Sequence, residues 1–218
     1  MQFEEIKQQI DAYQSQGKRM FLTSSFQTHS IPLLHMISRI DNSIPVVFIN
    51  TGYHFPETIA FRKEVASNLG LNLVDLRSEI PRINQKGMDG RLMFASDPDR
   101  CCYINKTQPI DAWLMTHDVW INGVRAEQSA ARNAMKKEQK APHDTIRFHP
   151  LLDWTSKMIF GYKKTFELPE HPLEQSGYLS IGCEPCTRKI DPDMLEREAR
   201  WYGLNKVECG LHSELIEN

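Results

Sequence analysis

A unit of buried strand, polar loop and helix recurs along this chain, and it constrains the fold more than any other feature. Short apolar runs with strand character are followed by polar turns and then by segments with apolar residues at helical spacing. The predicted strands are Arg19–Thr23, Val46–Ile49, Leu71–Leu76, Trp120–Ile121 and Thr145–Phe148, and the predicted helices are Phe3–Gln14, Ser30–Ile40, Glu57–Asn68 and a segment that begins near Trp154 with Asp153 as its N-cap. This alternation predicts an α/β fold with a mostly parallel sheet and helices on both faces. Ligands of such sheets bind at the carboxyl ends of the strands.

Length and charge limit the classes of function. The chain has 218 residues, enough for one substantial core with at most an appended C-terminal element. Its 26 basic and 28 acidic side chains give a net charge of −2, which provides no generic attraction to nucleic acid or to an anionic membrane. We find no secretory signal pattern and no apolar run of membrane-spanning length, so we expect a cytoplasmic protein. A small-molecule enzyme without nucleic-acid or membrane partners fits this balance best.

All five cysteines fall into one arrangement. Cys101 and Cys102 are adjacent, Cys183 and Cys186 flank a Glu-Pro dipeptide, and Cys209 lies near the end of the chain. Four cysteines in two pairs can hold a metal centre, while a fifth in a charged tail is placed for chemistry. Disulfides are the alternative, and the expected reducing compartment argues against them.

The adjacent pair bears on the identity of the metal. Structural zinc sites usually take C-x2-4-C pairs, and neighbouring residues project about 100° apart on a helix, so adjacent thiolates converge poorly on one zinc ion. An iron–sulfur cluster offers separate iron atoms and tolerates adjacent ligands more readily. The remaining interpretation is that some of these cysteines are ordinary buried residues.

The turn Ser24–Ser30 follows the first predicted strand and opens a helix. Its hydroxyl and backbone N–H groups could bind an anion, and its place at the carboxyl end of a strand favours that interpretation. An ordinary helix N-cap is the alternative. The chain contains neither G-x-G-x-x-G nor G-x-x-x-x-G-K-S/T, so we expect no dinucleotide fingerprint and no Walker loop.

Several ordered motifs carry a specific resemblance to a known family. They are Ser24-Ser25-Phe26-Gln27-Thr28-His29-Ser30, Asn50-Thr51-Gly52-Tyr53-His54-Phe55-Pro56-Glu57-Thr58, Cys101-Cys102 with Lys106, Gly123-Val124-Arg125-Ala126-Glu127-Gln128-Ser129, Gly177-Tyr178-Leu179-Ser180-Ile181-Gly182-Cys183-Glu184-Pro185-Cys186-Thr187, Glu196-Arg197-Glu198-Ala199-Arg200-Trp201 and Glu208-Cys209-Gly210-Leu211-His212. With these motifs the chain resembles the iron–sulfur branch of the assimilatory sulfonucleotide reductases, the adenylyl-sulfate (APS) reductases. The resemblance implies an adenine-nucleotide α-hydrolase-like, Rossmann-like fold with a sheet of about five strands. It also implies a nucleotide-binding domain over residues 1–190, which carries the cluster ligands, and a C-terminal segment over residues 191–218 with the catalytic cysteine.

The resemblance further implies a reaction and a set of site residues. Cys209, with His212 nearby, would attack the sulfur of adenosine 5′-phosphosulfate, AMP would leave, and an S-sulfocysteine would form. A thioredoxin or glutaredoxin would then supply the dithiol that releases sulfite, in assimilatory sulfate reduction. One [4Fe-4S] cluster per subunit, with a structural and electrostatic role, would be held by Cys101, Cys102, Cys183 and Cys186. The substrate would be bound by Ser24, Ser25, Phe26, Ser30, Thr51, Gly52, Lys106, Arg125, Arg197 and Arg200. Assembly into a homo-oligomer is left open.

Three positions depart from the family pattern. Gln27 stands where a glycine is usual, Asn50 where an aspartate is usual, and Asn105 where an arginine is usual beside Lys106. The first departure would change the backbone of the nucleotide loop or its grip on phosphate. Each of the other two removes one charge near the expected site and would change substrate affinity without changing the class of reaction.

Other functions stay open at this point. A 3′-phosphoadenosine 5′-phosphosulfate (PAPS) reductase or a dual-specificity enzyme would carry similar motifs, although the cysteines favour APS. An ATP-dependent sulfur-transferase of the same fold would need a loop of the form Ser-Gly-Gly-x-Asp-Ser, which Ser25–Ser30 lacks. A non-catalytic metal-binding module on nucleic acid is disfavoured by the net charge of −2.

Overall fold

The computed structural model describes residues 1–194, 196–203, 206, 208, 209 and 211, and of residues 196 and 197 it describes the backbone only. Strands and helices alternate along this part of the chain, as the sequence predicted. The strands are β1 Met20–Thr23, β2 Val46–Ile49, β3 Leu73–Leu76, β4 Val119–Asn122, β5 Glu138–Lys140 and β6 Ile146–Phe148. The helices are α1 Phe3–Ser15, α2 Ile31–Ile40, α3 Pro56–Asn68, α4 Met93–Ser96, α5 Pro98–Cys102, α6 Gln108–Leu114, α7 Ala130–Asn133 and α8 Ser156–Thr165, with a π-helical turn over Tyr103–Thr107 between α5 and α6.

Across the described residues, six strands form one sheet in the order β3-β2-β1-β4-β6-β5. Strand β1 pairs in parallel with β2 and β4, and its register sets Leu22 beside Val46 on one side and Ile121 on the other. The chain builds outward from β1 to β3 and then returns to start β4 on the opposite side of β1. The strand order therefore reverses between β1 and β4, and the crevice at their carboxyl ends is where ligands of such sheets bind.

The central strands β1, β2 and β4 bury side chains on both faces of the sheet, since successive side chains of a strand point to opposite sides. On one side Leu22 and Ile121 join a large core with side chains from α1, α2, α3 and α8. On the other side Phe21 and Trp120 pack against Ile110 of α6. Both layers bury apolar surface against the sheet, which confirms the predicted covering on both faces.

Two details of the predicted elements differ from the structure. Asp153 is not the N-cap of α8: that role belongs to Thr155, whose hydroxyl accepts a hydrogen bond of 3.3 Å from the backbone N–H of Met158. Asp153 lies in the preceding turn, and its carboxylate is 2.7 Å from Nζ of Lys137. The antiparallel edge strand β5 was not predicted, because its sequence Glu-Gln-Lys is polar throughout and lacks strand alternation.

None of the helices in the described part of the chain has both the length and the apolar character that a membrane crossing needs.

Candidate active site and cysteine cluster

A cavity of about 210 Å³ opens at the carboxyl ends of β1 and β4, at the reversal of the strand order. The loop after β1, the start of the loop after β4, the segment 180–183 and part of the C-terminal segment form its walls. Of the residues predicted from the sequence, the cavity brings together Ser24, Ser25, Ser30, Lys106, Arg200, Cys183 and Cys209. Side chains spread over more than 180 residues of sequence thus surround one space.

The loop after β1 presents hydroxyl groups to this cavity. The hydroxyls of Ser25 and Ser30 lie 3.2 Å apart in a mutual hydrogen bond, and the Ser24 hydroxyl accepts from the backbone N–H of Phe26 at 3.1 Å. Phe26 has a left-handed backbone, with φ of 54°, and its ring is buried in the core against Phe48. The side chain of Phe26 therefore fixes the loop to the hydrophobic core, whereas the serines line the cavity.

Lys106 and Arg200, both predicted from the sequence, bring positive charge to the cavity wall. Lys106 also lines a second, smaller cavity, so it stands between the two. Although burial by itself lowers the pKa of Lys106, coulombic attraction to the sulfurs of Cys209 and Cys183 in their ionised form outweighs it and raises that pKa. Arg200 donates from Nη1 to the carbonyl oxygen of Ile181 at 3.2 Å. Paired cations of this kind suit an anionic ligand.

Glycine at position 182 makes room for Arg200. A Cβ atom there would overlap the guanidinium group of Arg200, although the backbone of Gly182 is one that any residue can adopt. The guanidinium also lies 4.7 Å from the ring centre of Trp201. The segment that leads to Cys183 thus shapes the position of the cation.

The other predicted substrate-binding residues lie away from the cavity or outside the described residues. Arg125 is buried in an ion pair with Glu127 and does not line the cavity. Thr51 and Gly52 follow β2 and also lie outside it: the carbonyl of Gly52 accepts from Arg82 Nη1 at 2.7 Å. The side chain of Arg197 and the whole of His212 lie outside the described residues.

The second, smaller cavity is lined by all the cysteines except Cys209. Its other lining residues include Thr51, Tyr53, Phe94 and Trp201. All are free thiols, and Cys101, Cys102 and Cys183 are buried. The hydroxyl of Thr51 lies 3.2 Å from Sγ of Cys183, and Nδ2 of Asn105 lies 3.7 Å from Sγ of Cys101. The pairs at 101–102 and 183–186 therefore meet in space.

The environment of these thiols favours their ionised form only when bound metal ions are present. Burial raises the pKa of Cys101 to about 12, and the neighbouring thiols of Cys102 and Cys183 add to that rise. Four crowded thiolates need bound cations to offset their mutual repulsion. Among the described residues no three His, Cys, Asp or Glu side chains converge to hold a single metal ion. The four thiols around this one space are the residues that could hold a metal centre.

Local helical structure places the first cysteine pair. Asp97 caps α5 by accepting from the backbone N–H of Arg100 at 2.9 Å, and the helix ends at Cys102. The π-helical turn follows at once and carries Asn105 and Lys106. Wide turns of this type often occur at functional sites. Cys101, Cys102, Asn105 and Lys106 all line the second cavity as a result.

Sequence reasoning missed Arg132, which also lines the active-site cavity. It lies just beyond the motif Gly123–Ser129 and is buried, with Glu208 as its partner at 2.9 Å. A separation of 76 residues between these partners left no local pattern to detect. The only usable signal was a basic residue shortly after a family motif.

Together the fold and site define an α/β protein with a cationic cavity at the carboxyl edge of a mostly parallel sheet, Cys209 on the wall of that cavity and four other cysteines around an adjoining one. Residues 19–189 match the phosphoadenosine phosphosulfate reductase domain. Over 197 residues the chain is 40% identical to an adenosine 5′-phosphosulfate reductase from Chelativorans sp. (strain BNC1), which covers 89% of this chain and 79% of that protein. It is 35% identical over 203 residues to the protein of that name from Bacillus mycoides (strain KBAB4), with 92% and 87% covered. The chain therefore belongs to the APS/PAPS reductase family, as its motifs predicted.

A solved structure supports the fold. The phosphoadenylyl-sulfate (PAPS) reductase from Candida auris, determined as a phosphate complex, superposes with a TM-score of 0.64. The match covers 76% of this chain and 81% of that one at 21% sequence identity. Agreement at this identity concerns the arrangement of strands and helices, which confirms the predicted fold class.

Proposed function

We propose that this protein reduces adenosine 5′-phosphosulfate to sulfite and AMP in assimilatory sulfate reduction, with Cys209 as the nucleophile. The observation that carries the proposal is the shared cavity of Cys209, Lys106 and Arg200 at the carboxyl edge of the sheet. The thiol shares this cavity with Lys106 and Arg200, next to a hydroxyl-lined loop. The names of the relatives that cover most of this chain support the choice of substrate.

The first step forms one bond and breaks another. The thiolate of Cys209 attacks the sulfur of the substrate's sulfate group, and a sulfur–sulfur bond forms. The bond from that sulfur to the phosphate oxygen breaks, and AMP leaves with the electron pair. The product on the enzyme is S-sulfocysteine.

Fixed positive charge makes this step feasible. A thiolate and a sulfate group repel each other, and Lys106 and Arg200 would offset that repulsion from their places on the cavity wall. Because both cations are partly withdrawn from water, their effect on a developing charge is larger than it would be on an exposed surface. The hydroxyls of Ser25 and Ser30 would bind phosphate oxygens of the nucleotide.

The second step requires a dithiol partner such as thioredoxin or glutaredoxin. One partner thiolate attacks Sγ of Cys209, the bond to the sulfonate group breaks, and sulfite leaves with the electron pair. The second partner thiol then displaces Cys209 as a thiolate. The partner ends as a disulfide and has supplied both electrons.

The four clustered cysteines would hold one [4Fe-4S] cluster per subunit. When bound, such a cluster would supply positive iron ions that neutralise the crowded thiolates. The residues of this chain around it link the two cavities: Lys106 and Cys183 line both. The ammonium group of Lys106 would therefore place a positive charge beside the substrate, while the four clustered cysteines would keep a structural role.

We also propose that the chain divides near residue 190, into a nucleotide-binding domain and a C-terminal segment that brings Cys209 to the cavity. The family match, which ends at residue 189, supports this division. In this arrangement the nucleophile and the nucleotide loop belong to different parts of the chain. The segment can then present S-sulfocysteine to a partner protein.

The test is sulfite release from APS and, separately, from its 3′-phosphorylated form, by iron-loaded protein with reduced thioredoxin or glutaredoxin. We expect turnover of APS, and we expect Cys209→Ser to abolish it because a serine hydroxyl is hardly ionised at neutral pH. Incubation with sulfur-labelled APS alone should place the label on the peptide with Cys209. Reduced thioredoxin should then release that label as sulfite.

Each alternative has its own signature. Comparable rates on both nucleotides would indicate dual specificity, and sulfite from the 3′-phosphorylated form alone would indicate a PAPS reductase. Label on a cluster cysteine, or full activity of Cys209→Ser, would contradict the mechanism. AMP binding and iron content serve as the controls, because Cys209→Ser should leave both unchanged.

A further inference from the structure

Two buried arginines that the proposed mechanism does not use hold the segment around Cys209. The first, Arg132, binds the carboxylate of Glu208 with two N–H groups, at 3.1 Å from Nε and 2.9 Å from Nη2. The side chains of the pair are only 9% and 10% exposed. A bidentate arginine–carboxylate pair with so little solvent contact is among the stronger polar contacts in proteins.

The same carboxylate fixes the backbone at the nucleophile. Oε1 of Glu208 accepts from the backbone N–H of Cys209 at 3.0 Å, and Oε2 accepts from the hydroxyl of Ser129 at 3.1 Å. Ser129 is also the N-cap of α7, the helix that carries Arg132. The carboxylate thus joins the residue before the nucleophile to a fixed helix start in the body of the protein.

The second arginine anchors the other side of Cys209. Arg147 lies on β6 without solvent exposure, with its guanidinium 4.4 Å from the ring centre of Trp120. Its Nη1 donates to the carbonyl oxygen of Leu211 at 2.9 Å. The side chain of Leu211 packs against the core layer that contains Phe21 and Trp120. Position 211 is therefore held by a hydrogen bond and by apolar contact together.

We propose that Arg132 and Arg147 are positioning residues for Cys209, because they fix Glu208 and Leu211 on either side of it against the carboxyl edge of the sheet. The proposal rests on the proposed function only in its kinetic consequence. Burying an arginine is costly unless its N–H groups find partners, and these two arginines donate to Glu208 and Leu211 on either side of Cys209. Arg132 also donates from Nη1 to Oε1 of Gln128.

The kinetic consequence concerns the first step alone. Attack on the substrate needs Cys209 at a defined place in the cavity, and a loose segment would occupy that place for only part of the time. Release of sulfite by a dithiol needs Cys209 accessible instead. Loosening the anchors should therefore slow formation of S-sulfocysteine and leave its reductive release as fast or faster.

The first measurement needs no substrate: hydrogen–deuterium exchange of the full-length, iron-loaded protein. Glu208→Gln keeps the size of the side chain, removes its charge and leaves the body of the protein untouched. In this variant and in Arg132→Met the peptide that contains Cys209 should exchange at least about 10-fold faster than in wild type. Glu170→Gln is the matched control, since it breaks the ion pair with Lys163 at 2.8 Å, away from the cavity and the segment.

Kinetics supply the second measurement. In Arg132→Met and Glu208→Gln, kcat should fall about 10- to 100-fold with KM within about 3-fold, and the double variant should be no slower than either single one, because the two side chains act as a unit. Arg132→Lys should recover part of the loss, since one charged donor remains. Arg147→Met tests the second anchor by the same exchange measurement, although its burial makes Glu208→Gln the safer variant.

The outcomes separate the two proposals. Unchanged exchange at the Cys209 peptide in Glu208→Gln and Arg132→Met would overturn the positioning role, whatever the reaction. Faster exchange with an equal loss of both half-reactions would overturn it as well, because a general defect would explain both. Faster exchange in a protein that does not reduce APS would uphold the anchors and contradict the proposed function.

Discussion

Asn50 stands where the family usually has an aspartate, and its side chain makes one contact that a carboxylate could not. Its Nδ2 donates to Oδ2 of Asp75 at 3.0 Å, while its Oδ1 accepts from the backbone N–H of Gly52 at 3.1 Å. Burial by itself raises the pKa of Asp75, but hydrogen bonds from Asn50 and Arg62 outweigh it and hold the pKa of that carboxyl below its ordinary value. The departure from the family pattern thus has a local partner.

The other two departures also have partners. Oε1 of Gln27 accepts from the backbone N–H of Ile181 at 3.1 Å, which ties the nucleotide loop to the segment before Cys183. The left-handed residue of that loop is Phe26, so position 27 does not need the freedom of glycine. Asn105 and Gln85 form a buried amide pair with contacts of 2.6 and 3.0 Å. The side-chain amides of Asn105 and Gln85 therefore satisfy each other and leave no unpaired polar group near the site.

Replacing Asn50 by aspartate should destabilise this chain. Two carboxylates would face each other in place of a donor and an acceptor, and we expect a loss of about 1 to 2 kcal/mol in the free energy of unfolding at pH 7. The loss should shrink as the pH falls toward about 4, because the repulsion raises the pKa of one carboxyl of the pair and protonation of that carboxyl removes the repulsion. Urea denaturation at both pH values measures this.

The reciprocal exchange is the control for that variant. Asn50→Asp combined with Asp75→Asn restores one donor and one acceptor, so it should recover part of the lost stability. Wild-type stability of Asn50→Asp at pH 7 would show that the amide donor at position 50 is not needed.

Among the elements, two short segments set the chemistry of the site. The stretch from α5 through the π-helical turn directs Cys101, Cys102 and Lys106 to one cavity. The segment 180–187 carries the second cysteine pair and is tied to the loop after β2, since the backbone N–H of Glu184 donates to the carbonyl of Tyr53 at 2.7 Å. Neither segment is a long regular helix or strand, so close backbone packing decides their geometry.

Gly182→Ala tests the second of these segments. The new methyl group would displace the guanidinium of Arg200, which is the end of a flexible side chain, so the stability of the fold should change by less than about 1 kcal/mol. Turnover of APS should fall about 10-fold or more, in line with Arg200→Ala, because the cation leaves its place on the cavity wall. Steady-state kinetics and thermal unfolding provide the two readouts.

Gly161→Ala is the matched control. Position 161 lies on α8, and a Cβ atom there would meet no heavy atom within 4 Å. We expect its activity to equal that of wild type. Normal kinetics of Gly182→Ala together with a large loss in Arg200→Ala would mean that Arg200 can reach its working position by another route.

In the whole molecule, three connections meet at the cysteine cluster. One runs from β3 to β4 and carries Cys101 and Cys102, one follows α8 and carries Cys183 and Cys186, and the loop after β2 contributes Thr51. A metal centre bound there would link parts of the chain that are far apart in sequence. Its removal would therefore affect stability as well as chemistry.

Serine at any one of the four cluster cysteines should lower iron content and thermal stability together. We expect a loss of at least about 2 kcal/mol, or about 4 to 8 °C in Tm for a chain of this size. Iron analysis and thermal unfolding of anaerobically purified protein measure both. Cys209→Ser is the control and should keep its iron and its Tm, because Cys209 does not line the second cavity, around which the other four cysteines lie. Stoichiometric zinc without iron would contradict the cluster.

The amino-acid sequence by itself determined the order of the main elements, the mostly parallel sheet, the family and the division of the cysteines into two pairs and a separate fifth cysteine. These features are local, since periodicity, turn residues and motif spacing are read within short windows. It also indicated the three loop serines, Lys106 and Arg200, which the structure places on one cavity.

Tertiary structure alone decided which distant residues meet. It pairs Arg132 with Glu208, sets Gly182 against Arg200, withdraws Arg125 into an ion pair with Glu127 and adds the polar edge strand β5. Such contacts depend on how the connections close around the sheet, and no periodic pattern along the chain encodes a partner 76 residues away. Burial fixes such a charged side chain in one place, because a charged group removed from water is stable only in contact with a charged or hydrogen-bonding partner.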